Sequence, residues 1–598
     1  MKRFLFGFIL GLLFAGLAIV ILVFAAVRFG GGRKPVVADN STLVLHMEGD
    51  LPEQAPVDYG LPFLSQQQPL SIAENWQLLR NAAADPHIKA IVLEPRGLSV
   101  GWAKLEELRG DIVNFKKSGK PVYAYLRGPG MREYYVATAA DRIYVSPEDE
   151  LDVKGMRAEL TFFKGTLDKL GVEMEFEHVG KYKDAPDMFT KTSSSPETRE
   201  VINGLLDQFY GDFVNTVAQS RKKKPEEVRA LIDNGPFVGP EALQGGLVDE
   251  LAYEDQVFGR LKDKLKIGDA KINEHDYARL PALAGVEGGT RIALLVGQGD
   301  IVRGATNDGP SPNMITSAGM TKLIRQVRDD DSIKGVILRI DSPGGDGIAS
   351  DDILHEAKLL SQKKPTVISM SDLAASGGYF IAMTGDPLVA YRATETGSIG
   401  VFFGKPNLRG LYDKIGVKTE LMTRGRFADI DTVTAPLNDA QRAKLRTEIE
   451  VFYKSFVDKV AGARKRGYND VEPLAQGRVW TGAQAKQNGL VDEIGGIDRA
   501  IEIVKQRAKI AVAEKITLVP YPPRRSLFQV LMDRDQLAEL ESYIFESRLD
   551  TRIESKLSGL TDDPAVRSLI HSLVRGALTT AGTQGGILSR MPYSVTVH

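Results

Sequence analysis

The chain has 598 residues, 43% hydrophobic and 26% charged, which is length for roughly three or four packed domains. A net charge of −2 argues against nucleic acid as the principal partner. Cysteine is absent, which excludes disulfides, thiolate metal sites and cysteine nucleophiles; with no HExxH sequence and no carboxylate-rich metal loop, a metal enzyme is not expected.

Taken in chain order, Phe4 to Val27 is an unbroken run of 24 apolar residues and glycines between Lys2-Arg3 and Arg28. As a helix it extends about 36 Å, enough to cross a hydrocarbon core of about 30 Å. A cleaved signal peptide usually has a shorter apolar core, so residues 1–35 are expected to form an uncleaved transmembrane anchor. Lys2 and Arg3 on one side face Arg28, Arg33 and Lys34 on the other, and charge alone leaves the orientation open.

Residues 40–275 and 290–515 read as one unit used twice. Thr42 to Leu51 reads as a strand running into a loop, and Arg291 to Ile301 repeats it about 250 residues later. Ile88 to Leu93 matches Ile333 to Leu338, Lys120-Pro121-Val122 matches Lys364-Pro365-Thr366, and Tyr134 to Asp141 matches Tyr379 to Asp386. Further on, Leu170-Gly171-Val172 matches Ile415-Gly416-Val417, and Gly245 to Glu250 matches Asn488 to Glu493. Ordered matches at a nearly constant offset indicate a duplicated domain. Each copy alternates short apolar runs with helical patterns such as Leu105 to Phe115 or Ile353 to Leu360, so the fold class is α/β. Each copy then closes with a long helical region, Pro196 to Ser220 or Asn438 to Arg464, and a GLVDE strand. Residues 276–290 have linker composition. In the remaining 516–598, Ser526 to Leu557 and Ala565 to Leu578 read as amphipathic helices of a C-terminal extension docked on the body or on a sister subunit.

The copies differ where chemistry is expected. Ser376 is crowded by Ala374, Ala375, Gly377 and Gly378, which lets a substrate backbone approach its hydroxyl. Tyr379 to Met383 reads as the start of a buried helix with Ser376 at its positive end; the plainer alternative is a sterically tight turn. Aligning Ala137 with Ala382 sets Met131 opposite Ser376 and Arg132 opposite Gly377, so the first copy lacks the serine. It lacks also the glycine pair of Asp341-Ser342-Pro343-Gly344-Gly345-Asp346-Gly347, a strand-to-helix loop able to offer N–H donors to an anion. Conversely Lys183, in Gly180-Lys181-Tyr182-Lys183-Asp184-Ala185, faces Ala428 of the second copy. Two half-sites, each lacking what the other keeps, point to one composite site with Ser376 as nucleophile and Lys183 as general base. A serine needs a base to take its proton. None of the seven histidines stands in a recognisable motif, and a buried lysine with its pKa lowered toward neutrality serves.

With these residues the sequence resembles the signal peptide peptidase A family, also called protease IV, in its long double-domain bacterial form. The resemblance rests on the N-terminal run, the tandem copies, GKYKDA, DSPGGDG, LAASGGYF and TGSIGVF, in order and in the expected halves. It implies tandem domains of the crotonase/Clp-protease type and peptide hydrolysis by a Ser-Lys dyad of Ser376 and Lys183. It further implies oxyanion donors on the backbone of Gly344 and Gly377, and Ser398 of TGSIG as a hydroxyl orienting the lysine. Remnant signal peptides as substrates, anchorage in the inner membrane with the body on the periplasmic side, and a homotetramer are implied likewise. Asp346 and Ser371-Asp372-Leu373 are its departures from the pattern. Two rivals are a crotonase-like acyl-CoA enzyme using DSPGGDG as its oxyanion site and a non-catalytic membrane scaffold; labelling of Ser376 by a fluorophosphonate separates the first, and a Ser376→Ala variant with all functions unchanged would mark the second.

Overall fold

In the computed structural model, residues 36–54, 69–280, 288–304, 314–523 and 588–590 are described. The anchor expected over 1–35 and the amphipathic helices expected over 526–557 and 565–578 lie outside them. Among the described residues no helix is long and apolar enough to cross a membrane.

The duplication is visible in the order of the strands. In the first half, Glu250–Leu251, Arg142–Val145, Val122–Leu126, Ile88–Leu98, Ser41–Gly49 and Lys271–Asn273 lie side by side, all parallel. The second half places Glu493–Ile494, Leu388–Ala390, Thr366–Ala375, Ile333–Ser342, Thr290–Gln298 and Ile516–Tyr521 in the same sequence and direction. These central strands are buried over most of their length, as their runs of Val, Ile and Leu require when helices cover both faces. Long helices Pro196–Arg221 and Asp439–Arg464 occupy matching positions in the chain, capped by Ser195 and Asn438, whose side chains accept from the backbone N–H groups of Thr198 and Gln441.

Two boundaries move. Ile516–Tyr521 pairs with Thr290–Leu295 from Thr290↔Ile516 onward, so the second sheet runs past 515 and ends as the first does with Lys271–Asn273. The helix Glu274–Ala278, with Tyr277 buried, continues the first half beyond 275, because Tyr277 hydrogen-bonds Asp85 at 3.1 Å and seals the sheet edge. The GLVDE segments are mostly turns; only Glu250–Leu251 and Glu493–Ile494 pair. There Asp249 and Asp492 each hold the arginine that ends the long helix, Arg221 and Arg464, while Leu247 and Leu490 accept from the hydroxyls of Tyr134 and Tyr379.

The halves share one core. A single apolar cluster runs from Trp76, Leu105 and Ile112 of the first half to Ile337, Val367 and Val504 of the second. Through it passes a fully buried guanidinium, Arg339, whose Nε lies 2.9 Å from Glu53 Oε2 and whose Nη2 lies 2.5 Å from Glu107 Oε2. Ser369 and Ser371 accept further bonds from it at 3.0 Å. Glu53 and Glu107 belong to the first half and Arg339 to the second, so a buried charge cluster fixes how the halves meet. Removing one partner of such a cluster strands the others. Arg339→Met is therefore expected to lower unfolding free energy by about 3–5 kcal/mol, read as a lower urea midpoint, whereas Arg325→Met on the exposed surface should shift it by less than about 1 kcal/mol.

Candidate active site

What carries Lys183 to its place is a strand exchange between halves. Glu173–Val179, from the first half, pairs antiparallel with Val401–Asn407, from the second, in the register Val179↔Val401 through Glu173↔Asn407. Because the strands run in opposite directions, the residues following Val179 turn alongside those preceding Val401. Gly180 to Lys183 thus arrives beside Gly397 to Gly400.

The second half then grips the arriving segment. Tyr182 N–H donates to the Gln476 carbonyl at 2.9 Å, and Arg478 Nη1 donates to Tyr182 Oη at 2.9 Å while pairing with Glu200 at 2.5 Å. Gly477 is forced to be glycine twice over: its φ is +78°, and a Cβ there would stand 2.6 Å from Lys183 Cβ and N. A Cβ on Gly400 would lie 3.1 Å from Lys183 Cδ and 2.8 Å from Gly477 Cα. Two glycines therefore make the slot that the lysine stem fills.

Ser376 sits between the strand Thr366–Ala375 and the five-residue helix Gly377–Ile381, as the N-cap of that helix. Its φ of 53° with ψ of −115° is a strained conformation for a residue with a side chain, of the kind that costs on the order of 1–3 kcal/mol and gathers at reactive centres. The surroundings hold it: Ser376 N–H donates to the Gly397 carbonyl and Phe380 N–H to the Ser376 carbonyl, both at 2.8 Å. A Cβ on Gly378 would meet the Ser342 carbonyl oxygen at 2.6 Å, so only glycine fits after the turn.

Lys183 Nζ lies 2.8 Å from Ser376 Oγ, within one chain. It also donates to Ser398 Oγ at 3.0 Å and to the Ser398 carbonyl at 3.3 Å. Ser398 itself has φ +47°, and its N–H donates to the Arg478 carbonyl at 2.7 Å, which aims its hydroxyl at the amine. Lys183, Ser376 and Ser398 all have 0% exposure. Burial drives the lysine down to about 7, against a smaller upward pull from Asp184. Asp184 itself is pushed up to about 6 by burial, eased by the hydrogen bond from Thr198.

The glycine loop reaches the same place. A Cβ on Gly377 would stand 3.1 Å from Gly344 Cα and from Gly345 N, so the loop backbone is pressed against the residue after the serine. Gly344 N–H, however, donates to Ser342 Oγ at 3.1 Å, and Ser342 Oγ donates to the Gly299 carbonyl at 2.7 Å. In this state its donor is used within its own loop. Among the described residues no group of three or more His, Asp or Glu side chains is placed to hold a metal ion.

Sequence reasoning brings together Lys183, Ser376, Ser398, Gly344 and Gly377, and all five converge here. Gly477, Arg478 and the first half's Lys104 were missed. Lys104 is buried, 2.9 Å from Asp341, next to the end of the strand before the glycine loop, and 3.9 Å from Asp372, four residues before the serine. Asp372 in turn accepts from the backbone N–H groups of Gly101 and Lys104. The first half thus braces both loops of the second.

A buried amine against a strained serine hydroxyl, beside a glycine loop, is the arrangement of a serine hydrolase. The model of peptidase family S49 matches residues 114–268 and again 358–511. The chain is 35% identical to the chloroplastic serine protease SPPA of Arabidopsis thaliana over 83% of this chain and 73% of that one. It is 30% identical to protease 4 of Haemophilus influenzae over 85% and 86%, and 30% identical to protease 4 of Salmonella typhi over 85% and 84%. The match to the solved structure of ClpP1 from Listeria monocytogenes covers 34% of this chain and 91% of that one, at 16% identity and a TM-score of 0.22, too slight a likeness to bear on the fold. The chain belongs to peptidase family S49, present in two copies, and it is a serine peptidase.

Lowering the pKa of Lys183 has a thermodynamic sign. Its folded pKa, about 7, lies below the 10.5 of a free lysine, so between these values the unfolded chain binds the extra proton and stability rises with pH. Lys183→Met is expected to melt above the parent chain at pH 7, and the difference is expected to shrink as pH approaches 10, measured by calorimetry across that range.

Proposed function

We propose that Ser376 is the nucleophile and Lys183 the general base of a Ser-Lys dyad. The observation that carries this reading is the 2.8 Å approach of Lys183 Nζ to Ser376 Oγ in a site closed to water. The neutral amine takes the Ser376 proton as Oγ attacks the scissile carbonyl. Gly377 N–H donates to the oxyanion, joined by Gly344 N–H once it exchanges its Ser342 partner for the developing charge; each donor lowers the barrier by roughly 3 kcal/mol. The lysine ammonium protonates the leaving amine. The same lysine, neutral again, activates the water that frees the acyl group, and Ser398 holds the amine in line throughout. No step needs a cofactor.

The repeat is of crotonase/Clp-protease type in this reading, with the oxyanion loop after the second strand of the shared sheet and the nucleophile after the third. The substrates are extended apolar polypeptides, remnant signal peptides foremost, which small residues around Ser376 admit. Phe4 to Val27 anchors the enzyme in the inner membrane, the catalytic body lies on the periplasmic side, and four copies assemble. Deleting residues 1–35 is expected to move the protein from the carbonate-resistant membrane fraction to the soluble one with its hydrolysis of short peptides retained; retention in the membrane would remove the anchor from this reading.

The dyad is tested by its pH profile. Because the base must be neutral, kcat/KM is expected to rise tenfold per pH unit up to about 7 and to level above it, with that limb absent from residual activity of Lys183→Ala. Ser376→Ala and Lys183→Ala should each lower kcat by roughly 10⁴-fold or more, and the double variant no further, since the two act as a unit. A fluorophosphonate should label the parent chain at Ser376 only; a profile flat from pH 5 to 9 would contradict the lysine's role.

A further inference from the structure

One residue touches both loops that meet at the buried amine. Arg478 stands between Gly477, against which the stem of Lys183 packs, and the strand Val479–Thr481, which pairs antiparallel with Glu395–Gly397. Its carbonyl accepts the Ser398 N–H at 2.7 Å and so fixes the residue whose hydroxyl meets the amine. Its side chain crosses the boundary between the halves. Nη1 donates to Tyr182 Oη at 2.9 Å, Tyr182 Oη donates to Glu200 Oε2 at 3.1 Å, and Glu200 Oε1 accepts from Arg478 Nη1, which closes a ring of three groups.

The ring is held on its faces as well. The guanidinium carbon lies 4.4 Å from the centre of the Trp480 ring and 4.9 Å from that of Tyr182, and the Trp480 indole N–H is tied to the Leu474 carbonyl at 2.9 Å. A flat cation placed against two aromatic rings and a carboxylate suits arginine and not lysine. As a brace the ion pair is weak, because Glu200 is half exposed and water screens it. What it holds is more telling than how strongly it holds. Tyr182 immediately precedes Lys183, so the ring fixes the backbone from which the base projects.

We propose that Arg478 is a positioning residue for the base, keeping Lys183 seated in its glycine slot from one side through Tyr182 and from the other through Ser398. This rests on the dyad reading above. Without the guanidinium, Tyr182 is free to move, the slot admits water and a nearby cation is lost; both changes favour the ammonium form of Lys183. The charged groups around this segment are Lys181, Asp184 and Asp187 on its own loop, Glu200 on the helix Pro196–Arg221, and Arg478 and Glu472 of the second half. Gly397 to Gly400 and Ser376 to Ile381 carry no charged side chain. Of these groups Asp184 already pulls the amine upward, and Arg478 is the one whose removal adds to that pull.

The test is kcat/KM of the full chain on an external apolar peptide from pH 5 to 9.5, read on the folded fraction found by calorimetry at each pH. In the parent chain the limb bends at about 7. Arg478→Met is expected to bend about one unit higher, which makes it about fivefold slower at pH 7 and within about twofold of the parent at pH 9.5. Arg478→Lys, which restores the charge beside Glu200 without the planar stack, should fall between the two. Should Arg478→Met fail to fold, Tyr182→Phe loses only the hydroxyl that joins Arg478 to the base loop, and it is expected to move the limb the same way by about half a unit. A loss of equal size at every pH makes Arg478 a structural brace and overturns this inference alone, as does a limb that neither variant moves. A parent chain whose profile shows no limb overturns the dyad with it.

Discussion

The rest of the structure answers to an amine held away from water. Moving a lysine from solvent to a site with 0% exposure penalises its ammonium, and the drop of its pKa to about 7 corresponds to a cost of about 5 kcal/mol at neutral pH. No local element of the first half could hold it there, since a helix or loop bearing Lys183 would simply turn it outward. The cost is carried by two sheets, a shared core and the antiparallel register Val179↔Val401. The lysine is in place only if both halves are folded and docked.

Strain is distributed on the other side of the same contact. Ser376 and Ser398 both take positive φ, at 53° and 47°, where glycine would be at ease and serine is not. Glycine at either position would lack the hydroxyl that meets the Lys183 amine. The neighbours relieve what the serines cannot: Gly377, Gly378, Gly397, Gly400 and Gly477 remove every Cβ that would crowd the turn. Farther back, Arg339 with Glu53 and Glu107, and Lys104 with Asp341 and Asp372, clamp the strands from which both loops spring. A cluster of buried charges adds little to stability over an apolar core. What it adds here is position, because each ion has partners in only one arrangement of the halves.

Much of this was legible in the residues. The repeat emerged from matched segments because the same sheet order needs the same apolar runs, and Ser376 and Lys183, which the structure brings within 2.8 Å, emerged as a pair because each copy lacks what the other retains. What stayed hidden lay in contacts across the duplication. Gly477 and Arg478 carry no motif of their own; they matter because Lys183 and Tyr182 come to rest on them from nearly 300 residues away. Ile516–Tyr521 read as the start of a tail because Pro522 and Pro523 suggest a break, yet the strand ends just before them, and Pro520 inside it is tolerated because the strand lies at the sheet edge. The GLVDE segments look like strands by composition, but their aspartates are spent on Arg221 and Arg464 and on backbone N–H groups of the next strand, which makes turns of them.

Splitting the proposed dyad between halves would also set when the chain becomes reactive. A nucleophile and base on one short motif would meet as soon as that motif folded, with most of the polypeptide still extended and open to attack by its own serine. Here Ser376 without Lys183 is an ordinary alcohol, and Lys183 without the Gly400 and Gly477 slot is a solvated ammonium near its free pKa of 10.5, more than 99% charged at neutral pH. In that reading hydrolytic competence follows the last step of assembly, the docking of one half on the other. By then the sheets are buried and their backbones unavailable.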